Sequence, residues 1–327
     1  MPTLRPHPLL ILTLAAALLL PACRPEDPPP PAKEPTSAAA DPAPAPASGG
    51  HDKAYWRAIV EKDYAVPPGA VPADLVIELA RYTGSPDPEL RDDFGYMIPA
   101  AWIERDQRLS PQILRELLKS WKGNLRTGLG ETGTDTVLLR SFSALHLATL
   151  ARVDNEHPYL AAEDVHTLLD EALAYLAGEK DLRSFESGKG WIHATAHTAD
   201  LLAALAASPH LRKTDPKRIL DAVTGKLSTA PNTYTWGEEE RLAAVVQALI
   251  QRKDFDAALL APWLAKFKAD SEKLWEGGPQ VDPTRYARVM NEKHLLRALY
   301  VSLDRSEEAT EATQAAKKQV GETLGGM

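Results

Sequence analysis

"TDTVLLRSFSALHLATLARVDN", residues 134–155, runs its whole length without a proline or glycine and returns its apolar residues at helical rather than alternating spacing. Leu139, Phe142, His146 and Leu150 fall on one apolar side, so His146 reads as a satisfied core histidine. An aspartate, Asp135, stands at the start of the run, as at many helix N-termini.

The same period recurs on both sides. "DKAYWRAIVEKDY", "PADLVIELARYTG", "DPELRDDFGYMIPAAWIERD" and "SPQILRELLKSWKGNL" precede it. "AAEDVHTLLDEALAYLAGEKD", "GKGWIHATAHTADLLAAL", "DPKRILDAVTGKLST", "TWGEEERLAAVVQALIQRKD", "DAALLAPWLAKFKADSEKLW" and "DPTRYARVMNEKHLLRALYVSLD" follow. Gly, Pro or Asp signals close these segments, and almost no strand alternation appears. The expected fold is therefore all-α: antiparallel helical hairpins stacked into a right-handed-type, HEAT-like superhelix or closed into an α/α ring. No fixed repeat length is visible in the sequence.

The domain expected over residues 51–304 is preceded by two segments of other character. Residues 1–22 carry one basic residue, Arg5, and an apolar run from Leu9 to Leu20, short for a membrane span and suited to the h-region of a secretory signal. Cys23, the single cysteine of 327 residues, follows directly in a lipobox-like context, so the expected mature chain begins with a lipidated cysteine. The acyl chains, palmitate among them, would anchor an exported protein to a bacterial membrane. Residues 24–50, rich in proline and alanine, form a disordered linker to a domain in the periplasm or at the cell surface. Residues 305–327 read as a weakly amphipathic polar helix or a frayed end.

Composition narrows the function. A net charge of -8 without a basic, aromatic-interleaved stripe argues against nucleic acid as a partner. G-x-S-x-G elbows, phosphate-cradling glycine loops and dinucleotide fingerprints are absent from the sequence.

The chemistry-bearing residues gather around residues 188–205, read as a helix entered through Gly188 and Gly190. Helical rotation places Trp191, Thr198, Leu201, Leu202 and Leu205 on one face and His193, His197 and Asp200 on the other, bordered by alanines. Three readings are open for this trio on a concave wall: a divalent metal such as zinc held by His193, His197 and Asp200, a metal-free ligand pocket, or a buried polar network without catalytic duty. Ala194 stands where the glutamate of H-E-x-x-H would be, which removes that motif's general base. Asp92 and Asp93 read as a helix-start or turn-bonding pair, and the carboxylates of "GEEER" as complements to a helix N-terminus.

"TDTVLLRSFSALHLATL", "EKDLRSFESGKGWIHATAHTADLLAALA" and "TYTWGEEERLAAVV" resemble the bacterial family known as domain of unknown function 2785, over roughly Asp74 to Leu303. Its members share an R-S-F-S helix, a K-G-W-x-H-A-x-A-H-x-A-D segment and an E-x-E-R-L helix. The resemblance implies a helical domain and supplies no reaction. It groups Asp135, Arg140, Ser141, Arg183, Glu186, Lys189, Trp191, His193, His197, Asp200, Glu239 and Arg241 as a candidate pocket, with Trp191 and Trp236 able to stack on a sugar or peptide. The expected function is a binding or scaffold module at the cell envelope for a protein, peptide or glycan. The alternative is an envelope hydrolase, metal-dependent or using a carboxylate pair such as Asp200 and Glu239.

Overall fold

The computed structural model describes residues 50–276, 280–306 and 310–327, so the signal-like run, Cys23 and the linker up to residue 49 lie outside the described residues. Helices α1 (Lys53–Val60) and α2 (Pro72–Leu79) come first. A wide-turned helix follows, running from Glu89–Met97 through α3 (Ile98–Ala100) to Ala101–Arg105. The main array is α4 (Pro111–Asn124), α5 (Thr136–Glu156), α6 (Ala162–Gly178), α7 (Ala194–Ala206), α8 (Asp215–Thr229), α9 (Glu238–Ile250), α10 (Leu260–Glu272), α11 (Pro283–Asp304) and α12 (Glu311–Gly325).

Local chemistry sets several of these starts. Ser110 caps α4 by accepting from the Ile113 amide, and Asp282 caps α11 by accepting from the Thr284 and Arg285 amides. In both, proline occupies the first helical position, where no amide hydrogen is needed. The protein is all-α; the only sheet among the described residues is a hairpin of β1 (Phe185–Glu186) and β2 (Gly190–Trp191).

The helices form two layers. In the inner layer α5 packs on α7, α7 on α9 and α9 on α11, while α4 and α6 back α5 and α7 from outside. Contacts between α9 and α11 advance together, from Glu239–His294 to Gln247–Ser302, so these inner helices run parallel and the even-numbered helices return the chain. This stacking is that of a helical superhelix. Inner helices begin at Thr136, Ala194, Glu238 and Pro283, at unequal intervals, which is why no repeat period shows in the sequence.

Fifteen of the 21 residues of α5 and eleven of the 13 in α7 are buried, so these two helices are the centre of the array. Their Ala, Ser and Thr residues let neighbouring backbones approach closely. The C-terminal stretch is a docked part of the same compact unit, not a frayed end: Ala316 and Val320 of α12 are buried, and α12 packs on α10 and α11. Apolar residues at these two positions give α12 a face to bury. Among the described residues no helix is long and apolar enough to cross a membrane.

Candidate functional site

The helix expected from Gly188 begins only at Ala194. Gly188 and Gly190 have φ of +86° and +75°, which turns the chain into the hairpin, pairing Phe185 with Trp191 and Glu186 with Gly190. The Ile192 amide donates to the Ser184 carbonyl and closes the ladder. His193 then adopts the left-handed conformation, φ 49° and ψ 31°, as the residue preceding α7, and its carbonyl accepts the first helical hydrogen bond, from the His197 amide. Trp191 and His193 therefore do not sit on the helical faces that a wheel assigns them.

Gly190 packs closely against residues 88–92. A β-carbon there would lie 3.2 Å from Pro88 Cβ and 3.4 Å from Arg91 Nη2, in a backbone conformation that disfavours side chains. Gly190→Ala is expected to lower stability by about 1–3 kcal/mol in urea denaturation, an unchanged midpoint being the contrary result.

His193 and His197 are both buried, with ring centroids 5.7 Å apart. His193 Nε2 lies 3.0 Å from the Trp236 carbonyl, which can only accept, so Nε2 carries the proton and Nδ1 the lone pair. The Ser141 hydroxyl donates to the Ile192 carbonyl, leaving its oxygen to accept from His197 Nδ1 at 2.8 Å and placing the His197 lone pair on Nε2. Burial pushes both imidazoles below the ordinary histidine range, His197 well below, where His193, Arg241 and Arg91 add to the effect. Both rings are neutral at pH 7.

Asp200, one turn along α7, gives both carboxylate oxygens to Arg241 at 2.6 and 2.7 Å. Burial raises its pKa, and Arg241 offsets part of that rise. The trio is thus divided between two imidazoles with hydroxyl and carbonyl partners and an aspartate committed to an arginine. Among the described residues no group of three or more His, Cys, Asp and Glu side chains is placed to hold a metal ion.

The remaining candidates separate. Arg140 is fully buried and does not line a pocket: it forms a bidentate pair with Glu179 at 2.7 and 3.1 Å and donates to the Thr127 and Gly128 carbonyls. Arg183, Glu186 and Lys189 tie the hairpin to the preceding loop, through Arg183–Asp181, Arg183–Glu186, Lys189–Glu186 and Lys189–Asp135 contacts of 2.5–3.1 Å. Glu239 faces α11, 3.9 Å from His294, rather than Asp200.

What the fold brings together instead is an aromatic surface at the N-terminal ends of α7 and α9. Trp191 and Trp236 are joined by Phe185, which the sequence reading does not single out. The three rings are 39–49% exposed, yet lie only 5.1–5.7 Å apart between centroids. Trp191 also stacks on His193 at 4.6 Å.

Polar groups frame this surface. Glu238, buried, accepts from Ser184 Oγ and the Trp236 amide and lies 3.8 Å from His193. Arg91, also buried, donates to the Lys189 carbonyl at 2.6 Å and pairs with Asp92 at 2.7 Å, with its guanidinium over Phe142. Asp92 is thus an arginine partner beside the hairpin, its carboxyl raised to about 6 by burial. Behind the hairpin, Asn291 holds residues 232–234 by accepting from the Tyr234 amide and donating to the Asn232 carbonyl. The contacts by which Arg91 and Asn291 hold this region carry no local sequence signal: Lys189 lies 98 residues from Arg91, and Asn232 and Tyr234 lie 59 and 57 from Asn291.

A family model described as "Protein of unknown function (DUF2785)" matches residues 125–301. The chain belongs to this family. No curated protein and no solved structure matches it.

Proposed function

We propose that this member of the DUF2785 family is an exported lipoprotein, anchored through Cys23, whose helical domain is a binding module for a glycan of the cell envelope. The observation that carries the reading is the exposed cluster of Phe185, Trp191 and Trp236, framed by polar groups that are already hydrogen-bonded and hence preorganised. A pyranose ring offers an apolar C–H face to an aromatic ring and hydroxyls to the polar rim, so such a surface matches both halves of its chemistry. Holding a ligand asks for no general base, and the two histidines, neutral with fixed tautomers, suit positioning of hydroxyl donors.

Titration of the protein with a tetramer of N-acetylglucosamine, followed by tryptophan emission, tests this reading. Saturable quenching is expected, with Trp191→Ala weakening the affinity about tenfold, the worth of one well-stacked ring. No change in emission with this tetramer or with a glucose oligomer, or an affinity indifferent to Trp191, would discard the proposal. Hydrolysis is a second reading, favoured by the Asp92 carboxyl, which holds a proton near pH 6 beside the aromatic surface. New reducing ends in the titration mixtures, lost in Asp92→Asn, would mark it.

A further inference from the structure

A second recess, separate from the aromatic surface, lies on the side of α9 that faces α11. It is a cleft of about 800 Å³ lined by Glu239, Glu240, Gln247, His294, Arg297 and Arg305 among others. Its charges are ordered along the helices. Glu239 and Glu240 stand in the first turn of α9, and Glu239 faces His294, whereas Arg305 caps the far end of α11. From His294 to Arg305 the cleft spans about 16 Å at the helical rise of about 1.5 Å per residue.

The groups along it are only partly engaged, with Glu239 facing His294 at 3.9 Å and Gln247 bonded to Ser302. One carboxylate oxygen of Glu239, Oε2, is buried without a hydrogen-bond partner. The guanidinium groups of Arg297 and Arg305 make no hydrogen bond or ion pair with the described residues, Asp304 acting on Arg305 only through its charge, whereas most arginines of this chain are paired. Gln247 receives the Ser302 hydroxyl on its carbonyl oxygen, which leaves its amide hydrogens available about three-quarters of the way along the cleft towards Arg305. A ligand matching this order has a cationic donor at one end, backbone-like carbonyls in the middle and an anion at the other.

We propose that the α9–α11 cleft binds a short extended peptide, its terminal ammonium at Glu239 and Glu240 and its terminal carboxylate at Arg305. At about 3.3 Å per residue, about five residues fill the span. Gln247 and Arg297 donate to the peptide carbonyls between, and the guanidinium of Arg305 takes the carboxylate in a fork.

Calorimetric titration of the full-length protein with penta-alanine, its N-acetylated form and its C-amidated form tests the proposal. Each block is expected to weaken binding about tenfold. Arg305→Gln is expected to weaken the free acid about tenfold and to leave the amide unaffected, and Glu239→Gln to do the same for the free amine against the acetylated form. Arg305 is exposed at a helix end, so its variant keeps the fold. Equal affinities for blocked and free peptides, or no heat at about 1 mM peptide, would overturn the assignment. Because Trp191 is not part of this cleft, Trp191→Ala separates this result from the glycan reading.

Discussion

Arg140→Ala is expected to cost about 3–5 kcal/mol of unfolding free energy, the largest effect of any single change considered. Arg140 and Glu179 are 0% and 1% exposed at the side chain, so the pair is out of reach of water. Glu179 stands directly after the last turn of α6, where the helix dipole is itself negative and repels a carboxylate. Arg140 compensates with two hydrogen bonds, and its remaining donors satisfy the Thr127 and Gly128 carbonyls that follow α4. Truncation strands a buried charge and two carbonyls at once.

Urea unfolding of Arg140→Ala, beside the double variant Arg140→Met/Glu179→Leu, separates the worth of the pair from the penalty of breaking it. The double variant is expected to recover part of the loss, since it removes the stranded Glu179 carboxylate but leaves the Thr127 and Gly128 carbonyls without their donor. A single variant within about 0.5 kcal/mol of wild type would contradict a buried pair.

His146→Phe is expected to gain stability over the wild type by about 2 kcal/mol on acidification from about pH 7.5 to pH 5. His146 stacks on Trp121, with ring centroids 4.1 Å apart and planes 5° from parallel. Neither ring nitrogen has a well-aligned hydrogen bond, and the Gly95 backbone is a polar neighbour of the imidazole. Burial pushes its pKa down to about 3, against an ordinary 6.5, with the Gly95 backbone offsetting only part of the fall. The folded protein therefore keeps His146 neutral while the unfolded chain takes up a proton below pH 6.5. The wild type loses the corresponding stability as pH falls from 6.5 towards 3.

Other buried groups titrate in the same range, Glu292 with the opposite sign because its carboxyl is raised to about 8. Only the difference between variant and wild type isolates His146, and phenylalanine keeps the stack on Trp121. A gap that stays constant from about pH 7.5 to pH 5 would mean that the imidazole is reached by water or by a partner.

The way residues 188–205 are read shows where sequence reasoning stops. The helix from Ala194 onward was legible, because its periodicity and small residues are local properties. Its start was not: whether Gly188 and Gly190 enter a helix or turn a hairpin depends on Pro88 and Arg91, about a hundred residues earlier, packing against Gly190. With the start displaced, His193 moves from a helical stripe to a strained residue before the helix, and Trp191 moves from a packing face to an exposed platform.

Arg140 makes the same point for charge. An arginine beside a serine in a motif looks like a pocket residue until its partner is known, and that partner is 39 residues away. Asp200 and Arg241 are neighbours because α7 and α9 are adjacent inner helices, and their pairing with each other withdraws Asp200 from the histidines.

The sequence by itself determined what depends on neighbours within one or two turns: the all-α class, the capped starts of α4 and α11, and the residues that carry the family motif. Only the tertiary structure decided which polar groups are spent on one another and which stay open. Burial and partner choice are set by elements 40 to 100 residues apart, and a side chain's charge, tautomer and exposure follow from those contacts rather than from its place in the chain.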